Sequence, residues 1–164
     1  MANLIEPNEL MHTNFEPKVA NRFIMSIEGI PSYLIRKCPR PSISNGETAI
    51  KHMNTTRYIK GRSEWEAISG MELYDPIVPS GAQAVMEWVR LHHESVTGRN
   101  GYSDMYKKDI TINVLGPVGD KVEEWNLKGA FITKATFGDL SYEEDGTPLM
   151  ISLDIRYDHA ILQY

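Results

Sequence analysis

Strands dominate the pattern of apolar and polar positions along the chain. Alternation with a period of two residues, which is typical of a half-buried strand, marks four segments: 22–28, 64–74, 110–114 and 149–157. A further short strand is predicted over 33–37, and the turn residues Gly29 to Ser32 before it predict that 22–37 forms a hairpin. A longer strand is predicted over 122–136, with Gly129 as its bulge.

Residues 42–62 have the least regular pattern of the chain. Within them, 50–53 and 56–59 can pair around Asn54-Thr55, which predicts a protruding hairpin loop. The segment is basic, and a connection of this length is usually functional or disordered. Its cations are the candidate contacts to another subunit: Lys51, Arg57, Lys60 and Arg62.

One helix is predicted, over residues 80–97. Ser80 as N-cap and Gln83 three residues later form a capping box, and Gly98 is a natural stop. Apolar residues spaced by three and four positions from Val85 to Val96 predict one buried stripe.

These elements predict a mainly β fold, an antiparallel sandwich or barrel with one packed α-helix and a long protruding hairpin loop. Residues 1–19 are polar, with scattered apolar positions, and are interpreted as an N-terminal arm that precedes a single domain over 20–164. Apolar positions on the predicted inner faces give the candidate core: Phe23, Trp65, Trp88, Trp125, Phe131 and Ile155.

Composition and charge narrow the functional class. The chain of 164 residues carries 17 basic and 22 acidic side chains, a net charge of −5. A free-standing protein that binds nucleic acid through phosphates should be basic, so that class is disfavoured. The single cysteine excludes an internal disulfide framework and a zinc site built from cysteines. No apolar run approaches the roughly 20 residues that a membrane-spanning helix needs, and the first residues do not resemble a secretory signal.

Few residues suggest chemistry, and each has a simpler interpretation. Adjacent histidines on a helix, His92 and His93, diverge by ~100° and do not face one metal ion. Cys38 lies among cations that would lower the pKa of a nucleophilic thiol, but no histidine motif accompanies it. The acidic segment 143–146, which is Glu-Glu-Asp-Gly, lacks the alternating carboxylates of a calcium loop and is interpreted as a solvated turn. We therefore expect no enzyme activity, no cofactor and no metal.

The order of elements resembles the tail tube protein of contractile-tail bacteriophages, over roughly residues 15–160. The first matching stretch is 17–27, which contains the strand entry Ala20-Asn21-Arg22-Phe23. The others are 36–41, 58–62, 64–68, the helix with Met86-Glu87-Trp88, 106–110, 127–134 and the ending Asp154-Ile155-Arg156-Tyr157-Asp158.

The resemblance implies a hexameric ring whose strands line a lumen, with rings stacked into a tube inside a contractile sheath. Residues 42–62 would contact the adjacent ring. The implied partners are other copies of the chain, the sheath, baseplate and tail-terminator proteins, and genomic DNA that passes without specific binding. The implied location is the virion tail, after synthesis in the host cytoplasm. Acids on the lumen would repel phosphates, and the candidates are Glu64, Glu66 and Asp154.

Two alternatives remain open from the residues. Tubes, and the baseplate proteins that initiate them, also occur in phage-like secretion and injection machines of the same architecture. A monomeric β-barrel binding module or small enzyme would need a pocket with convergent polar groups.

Overall fold

A curved antiparallel sheet forms the body of the protein in a computed structural model that describes residues 15–163. Within that range the strands are β1 (Phe23–Ile27), β2 (Ile35–Lys37), β3 (Ile43–His52), β4 (Thr55–Trp65), β5 (Ile68–Tyr74), β6 (Lys108–Leu115), β7 (Lys121–Thr136), β8 (Met150–Arg156) and β9 (His159–Leu162). The helices are α1 (Gly81–His92) and the four-residue α2 (Ser103–Tyr106), and a short 3-10 turn covers Ser32–Leu34.

Seven strands form the main sheet in the order β1-β6-β7-β8-β5-β2, and β9 also pairs with β7. Strand β7 has 16 residues and belongs to both halves of the sheet: its first part lies between β6 and β9, and its last part pairs with β8. The sheet curls into an almost closed barrel, so the predicted mainly β antiparallel fold with one principal helix is confirmed.

The core lies inside this curl and follows the alternation of the strands. On β8, Ile151, Leu153 and Ile155 are fully buried, while Ser152 and Asp154 between them are partly exposed. Helix α1 adds Val85 and Trp88 to the same cluster. Apolar side chains at every second strand position therefore supply most of the free energy of burial, as the sequence pattern predicts.

The predicted hairpin over 22–37 is wrong. Strand β1 pairs with β6, from Phe23–Val114 to Ile27–Ile110, and β2 pairs with β5. Between them the chain makes one bridge, Ile27 to Ile30, and then a 3-10 turn. The turn residues were identified correctly, but the partner of β1 is a strand more than eighty positions away.

The predicted strand over 64–74 is divided in two. Strand β4 ends at Trp65 and β5 begins at Ile68, which is buried and not on the outer face as its position in the alternation predicts. The reason is a bulge: the register with β8 shifts between Ile68 and Met71, and Gly70 has a φ of +73°. One extra residue returns both flanking side chains to the core face.

The predicted helix begins correctly but is too long. The Ser80 hydroxyl accepts a hydrogen bond from the Gln83 amide at 3.3 Å, so the predicted cap is confirmed. The helix ends at His92, and Val96, predicted on the apolar stripe, is 92% exposed. After the helix the chain turns back, and His93 forms an isolated β-bridge with Asn100. The short helix α2 and the last strand, β9, were not predicted from the sequence.

Candidate functional site

Strands β3 and β4 form a separate two-stranded hairpin that projects from the barrel. The interpretation of residues 42–62 as irregular is wrong, because pairing is continuous from Ile43–Trp65 to His52–Thr55 apart from one bulge. The turn is Met53-Asn54, one residue earlier than predicted. Every residue of β3 is exposed, and ten residues at ~3.3 Å each give a projection of about 33 Å.

The register assigns the side chains of the hairpin to two faces. Residues that pair directly share a face, and successive residues alternate. Face A carries the apolar Ile50 and Ile59 beside Arg57, and face B carries Tyr58 with Lys51 and Lys60. The apolar members are half exposed or more: Ile50 51%, Ile59 50%, Tyr58 65%, with Met53 at the tip 94%.

The four cations predicted as subunit contacts all lie on this hairpin but not on one face. Arg57 belongs to face A, Lys51 and Lys60 to face B, and Arg62 lies in the bulge, 3.5 Å from Glu64. With Glu47 as the one carboxylate in 42–62, the segment has a net charge of +3, which leaves −8 on the rest of the chain, whose total is −5. The hairpin is thus an electropositive projection from an acidic body.

Two glycines let the hairpin strands approach closely at the bulge. A β-carbon on Gly61 would lie 2.7 Å from the carbonyl carbon of Gly46, so neither position accepts a side chain without a backbone shift. Below the bulge, Ser63 donates a hydrogen bond to the Asn45 side-chain oxygen at 2.7 Å. At the root the Trp65 ring lies 6.1 Å from that of Tyr157, which ties the hairpin to the barrel.

The three candidate lumen acids do not form one cluster. Glu64 and Glu66 line a concavity at the hairpin root together with Arg156, and Glu66 accepts a hydrogen bond from Ser42 at 2.8 Å. Asp154 lies on β8 and accepts the Gly70 amide at 3.0 Å, which secures the bulge in β5. Asp154 therefore has a structural contact that the sequence pattern did not reveal.

The six candidate core residues differ in burial. Trp88 and Ile155 are 2% and 0% exposed, whereas Trp65 and Trp125 are partly buried at the margin of the core. Phe131 is also partly buried and packs in an aromatic group with His92 and Tyr106, at centroid distances of 6.1 and 5.7 Å. Phe23 is partly exposed on β1.

A buried carboxylate that sequence reasoning missed joins the segment before β1 to the barrel. Glu123 of β7 is 5% exposed and pairs with Lys18, with Arg40 at 3.5 Å, and with the indole N–H of Trp125. The hydrogen bond from Lys18, opposed by burial and assisted by Trp125, lowers the pKa of Glu123 below its ordinary value of 4.5. The sequence does not reveal that Glu123 is buried, because an acidic residue in a strand is expected on the solvent-exposed face.

We expect Glu123→Gln to make the chain less stable at neutral pH and less sensitive to acid. The folded pKa lies below the unfolded one, so the charge stabilises the fold above pH ~4.5 and this stabilisation is lost as pH falls through the folded pKa. Urea unfolding at about pH 7 and about pH 3 measures the effect. The gap between wild type and variant should shrink at the lower pH, and an equal gap at both would contradict the assignment. Glu28→Gln, an exposed carboxylate, is the control.

The residues considered for chemistry occupy unreactive surroundings. Burial raises the pKa of the Cys38 thiol to about 12, which keeps it protonated at neutral pH, and the thiol donates to the Pro39 carbonyl at 3.4 Å. The His92 ring packs at a tilt against that of Tyr106, with the ring centroids 4.8 Å apart, and His93 contacts Asn100 at 2.8 Å. Within residues 15–163, no group of three histidine, cysteine or carboxylate side chains is placed to hold a metal ion.

Among the helices of the described part of the chain, none has the length and apolar character needed to cross a membrane.

Solved structures with the same fold come from contractile injection machines. A chain in the extended sheath/tube terminator of PVC, an extracellular contractile injection system, superposes with a TM-score of 0.74 at 19% identity, over 93% of this chain and all of that one. A chain in the extended PVC sheath–tube complex superposes with a TM-score of 0.66 at 18% identity, over 98% of this chain and 99% of that one. A chain in the baseplate of the anti-feeding prophage superposes with a TM-score of 0.67 at 16% identity, over 90% of this chain and 96% of that one.

No protein-family model and no curated protein sequence matches the chain. At these identities the likeness shows a tail-tube-like fold, which is the fold that the sequence resemblance implies.

Proposed function

We propose that this protein is a structural subunit of the inner tube of a contractile machine, in which hexameric rings stack into a hollow conduit. The observation that carries the proposal is the match of nearly the whole chain to chains from tube-bearing assemblies, with a TM-score up to 0.74 and complete coverage of one partner. The shared fold extends over 93% of this chain and the whole of the matched one.

The projecting hairpin supports assembly on physical grounds. It leaves four half-exposed or fully exposed apolar side chains in water, and such surfaces usually mark contacts with other proteins. A projection that docks elsewhere on an identical subunit makes a heterologous contact, and repeated heterologous contacts generate rings or open filaments. We therefore assign the hairpin to contacts between successive rings.

The proposed partners follow from the assemblies in which this fold occurs. They are other copies of the chain, a contractile sheath, and the baseplate and terminator proteins at the ends of the tube. In a phage tail the lumen would carry genomic DNA without specific binding, and the protein would be part of the virion after synthesis in the host cytoplasm. Its role would be structural, with no reaction catalysed.

A tube of a phage-like injection machine is the second candidate, and it is favoured by the origin of the matching structures. The anti-feeding prophage and PVC structures are injection assemblies. A gene neighbourhood that contains capsid genes would favour the phage tail, whereas one without them would favour the injection machine.

Negative-stain electron microscopy of the purified protein over a range of concentrations tests the assembly. Six-fold rings or hollow tubes are expected. Baseplate protein should be added where no tubes form spontaneously, because a nucleus removes the barrier to the first ring. Particles that stay monomeric at high concentration with the baseplate present would overturn the proposal.

A further inference from the structure

We infer that the hairpin of one copy docks on a specific surface at the opposite end of the next copy, here called the far-end surface. It consists of the exposed apolar residues Ile77, Val78, Leu140 and Tyr142 and the carboxylates Asp139, Glu143, Glu144 and Asp145. The inference rests on the proposed tube function and adds the location and chemistry of the receptor.

Topology places the two surfaces at opposite ends of one strand. The hairpin enters the barrel at Trp65, immediately before β5 begins at Ile68. Strand β5 ends at Tyr74, which pairs with Met150 at the start of β8, and there Asp75 donates its amide to the Leu149 carbonyl at 3.1 Å. Both connections of the far-end surface, 75–80 and 137–149, leave the sheet at that end. Six residue steps of β5 separate the two ends by about 20 Å.

The far-end surface exposes more apolar area than a solvated turn requires. Ile77 is 96% exposed, Val78 85%, Leu140 87%, and Tyr142 is fully exposed. Ile77 and Val78 border a concavity of 380 Å³ against the first turns of α1, where Gln83 and Glu87 supply its polar rim. Apolar side chains in a concave, polar-rimmed surface are typical of a protein contact site.

Charge selects the hairpin of a second copy as the occupant. Residues 137–149 contain four carboxylates and no lysine or arginine, a net charge of −4, against +3 on residues 42–62. Within residues 15–163, no ion pair engages those four carboxylates, or Lys51, Arg57 or Lys60 on the hairpin. The nearby cations Arg36 and Lys37 are paired with Glu72, at 3.1 and 3.9 Å, and do not neutralise the loop.

Complementary charge steers the encounter and fixes the register, while the apolar residues supply the burial that holds the contact. Ile50 and Ile59 on face A, with Met53 at the tip, present exposed apolar side chains that can pack against Ile77 and Val78. Because donor and receptor lie at opposite ends of the same subunit, each bound copy presents a fresh receptor, and growth continues in one direction.

Charge exchange between the two surfaces tests the inference. We expect Glu143→Lys/Glu144→Lys to reduce the protein that sediments as tubes by tenfold or more, and Lys51→Glu/Arg57→Glu to do the same. A chain that carries all four changes should regain tubes, because attraction is restored with exchanged signs. Glu28→Lys/Asp104→Lys, two exposed acids outside both surfaces, gives the same change in net charge as the first variant and should assemble like wild type.

The outcomes separate this inference from the proposed function. Wild-type tubes together with normal tubes from the Glu143/Glu144 variant would overturn the docking site alone. A fourfold variant that stays unassembled while both double variants remain folded would also place the receptor elsewhere. Absence of rings and tubes from wild type, with baseplate present, would overturn the tube assignment itself. Equal midpoints of thermal unfolding for all variants would exclude misfolding as the cause of any loss of tubes.

Discussion

A chain that lacks residues 47–60 is expected to fold normally and to form no tubes. Glu47 and Lys60 pair directly across the two strands. Removal of both residues and of the hairpin end between them therefore deletes complete cross-strand pairs and leaves no strand residue without its partner. The deletion joins Gly46 to Gly61, two glycines that already lie at close range, and leaves a three-residue loop of Gly46, Gly61 and Arg62. The shortened strands keep Asn45–Ser63 and Trp65 at the root.

The measurement combines thermal unfolding with electron microscopy. Because the removed residues are almost all exposed and lie outside the core, we expect a melting temperature close to that of wild type. Tubes should be absent at every concentration tested, while any six-membered rings should persist, since the hairpin is assigned to contacts between rings. Tubes of normal length from this variant would disprove that assignment. A variant that keeps the whole hairpin, including Met53, and changes only Asn54 to glycine is the matched control and should assemble.

Replacement of Trp88 by alanine is expected to cost about 3–5 kcal/mol of folding free energy. The side chain is 2% exposed, its indole N–H donates to the Tyr106 carbonyl at 2.8 Å, and the Lys108 ammonium lies 5.3 Å from the ring centroid. The substitution removes the burial, the hydrogen bond and the contact that holds α1 against α2. Urea unfolding followed by circular dichroism measures the loss, and a change below about 1 kcal/mol would mean that the face of α1 is misassigned.

Trp65→Ala and Trp88→Phe serve as comparisons for that result. Trp65 is only partly buried at the edge of the core, so its truncation should cost less than that of Trp88. Trp88→Phe keeps an aromatic ring but leaves the Tyr106 carbonyl without its donor, which costs about 1–3 kcal/mol if that oxygen stays dry. An order of cost in which Trp65→Ala exceeds Trp88→Ala would contradict the burial of the two rings.

The sequence correctly predicts those elements that have one solvent-exposed face and one buried face. Strand β8 reads correctly because Ile151, Leu153 and Ile155 alternate with polar residues, and the α1 cap reads correctly because Ser80 and Gln83 interact locally. Partners remote in sequence leave no such signal. The turn after β1 therefore favoured a local hairpin, although the true partner of β1 is β6.

Only part of the candidate site could be predicted from the sequence, for a related reason. Both faces of the β3–β4 hairpin are exposed, so no apolar periodicity distinguishes its strands from irregular chain, although its cations are visible in the sequence. Which cation lies on which face depends on the bulge at Gly61 and Arg62, which shifts the register by one residue. The acids of the far-end surface appeared as a solvated turn, because their significance depends on a complementary charge located elsewhere.

The pairing of β1 with β6 sets the order in which a newly synthesised chain can fold. Phe23 leaves the ribosome about ninety residues before its partner Val114, a delay of roughly 5–20 s at ordinary elongation rates. During that interval β1 is an apolar strand with two free edges, and Arg22 and Glu28 flank it as charged gatekeepers against association with other nascent chains. Closure of the barrel must wait until β6, β7 and β8 have been synthesised, so premature termination before β6 would release an aggregation-prone fragment and not a smaller folded unit.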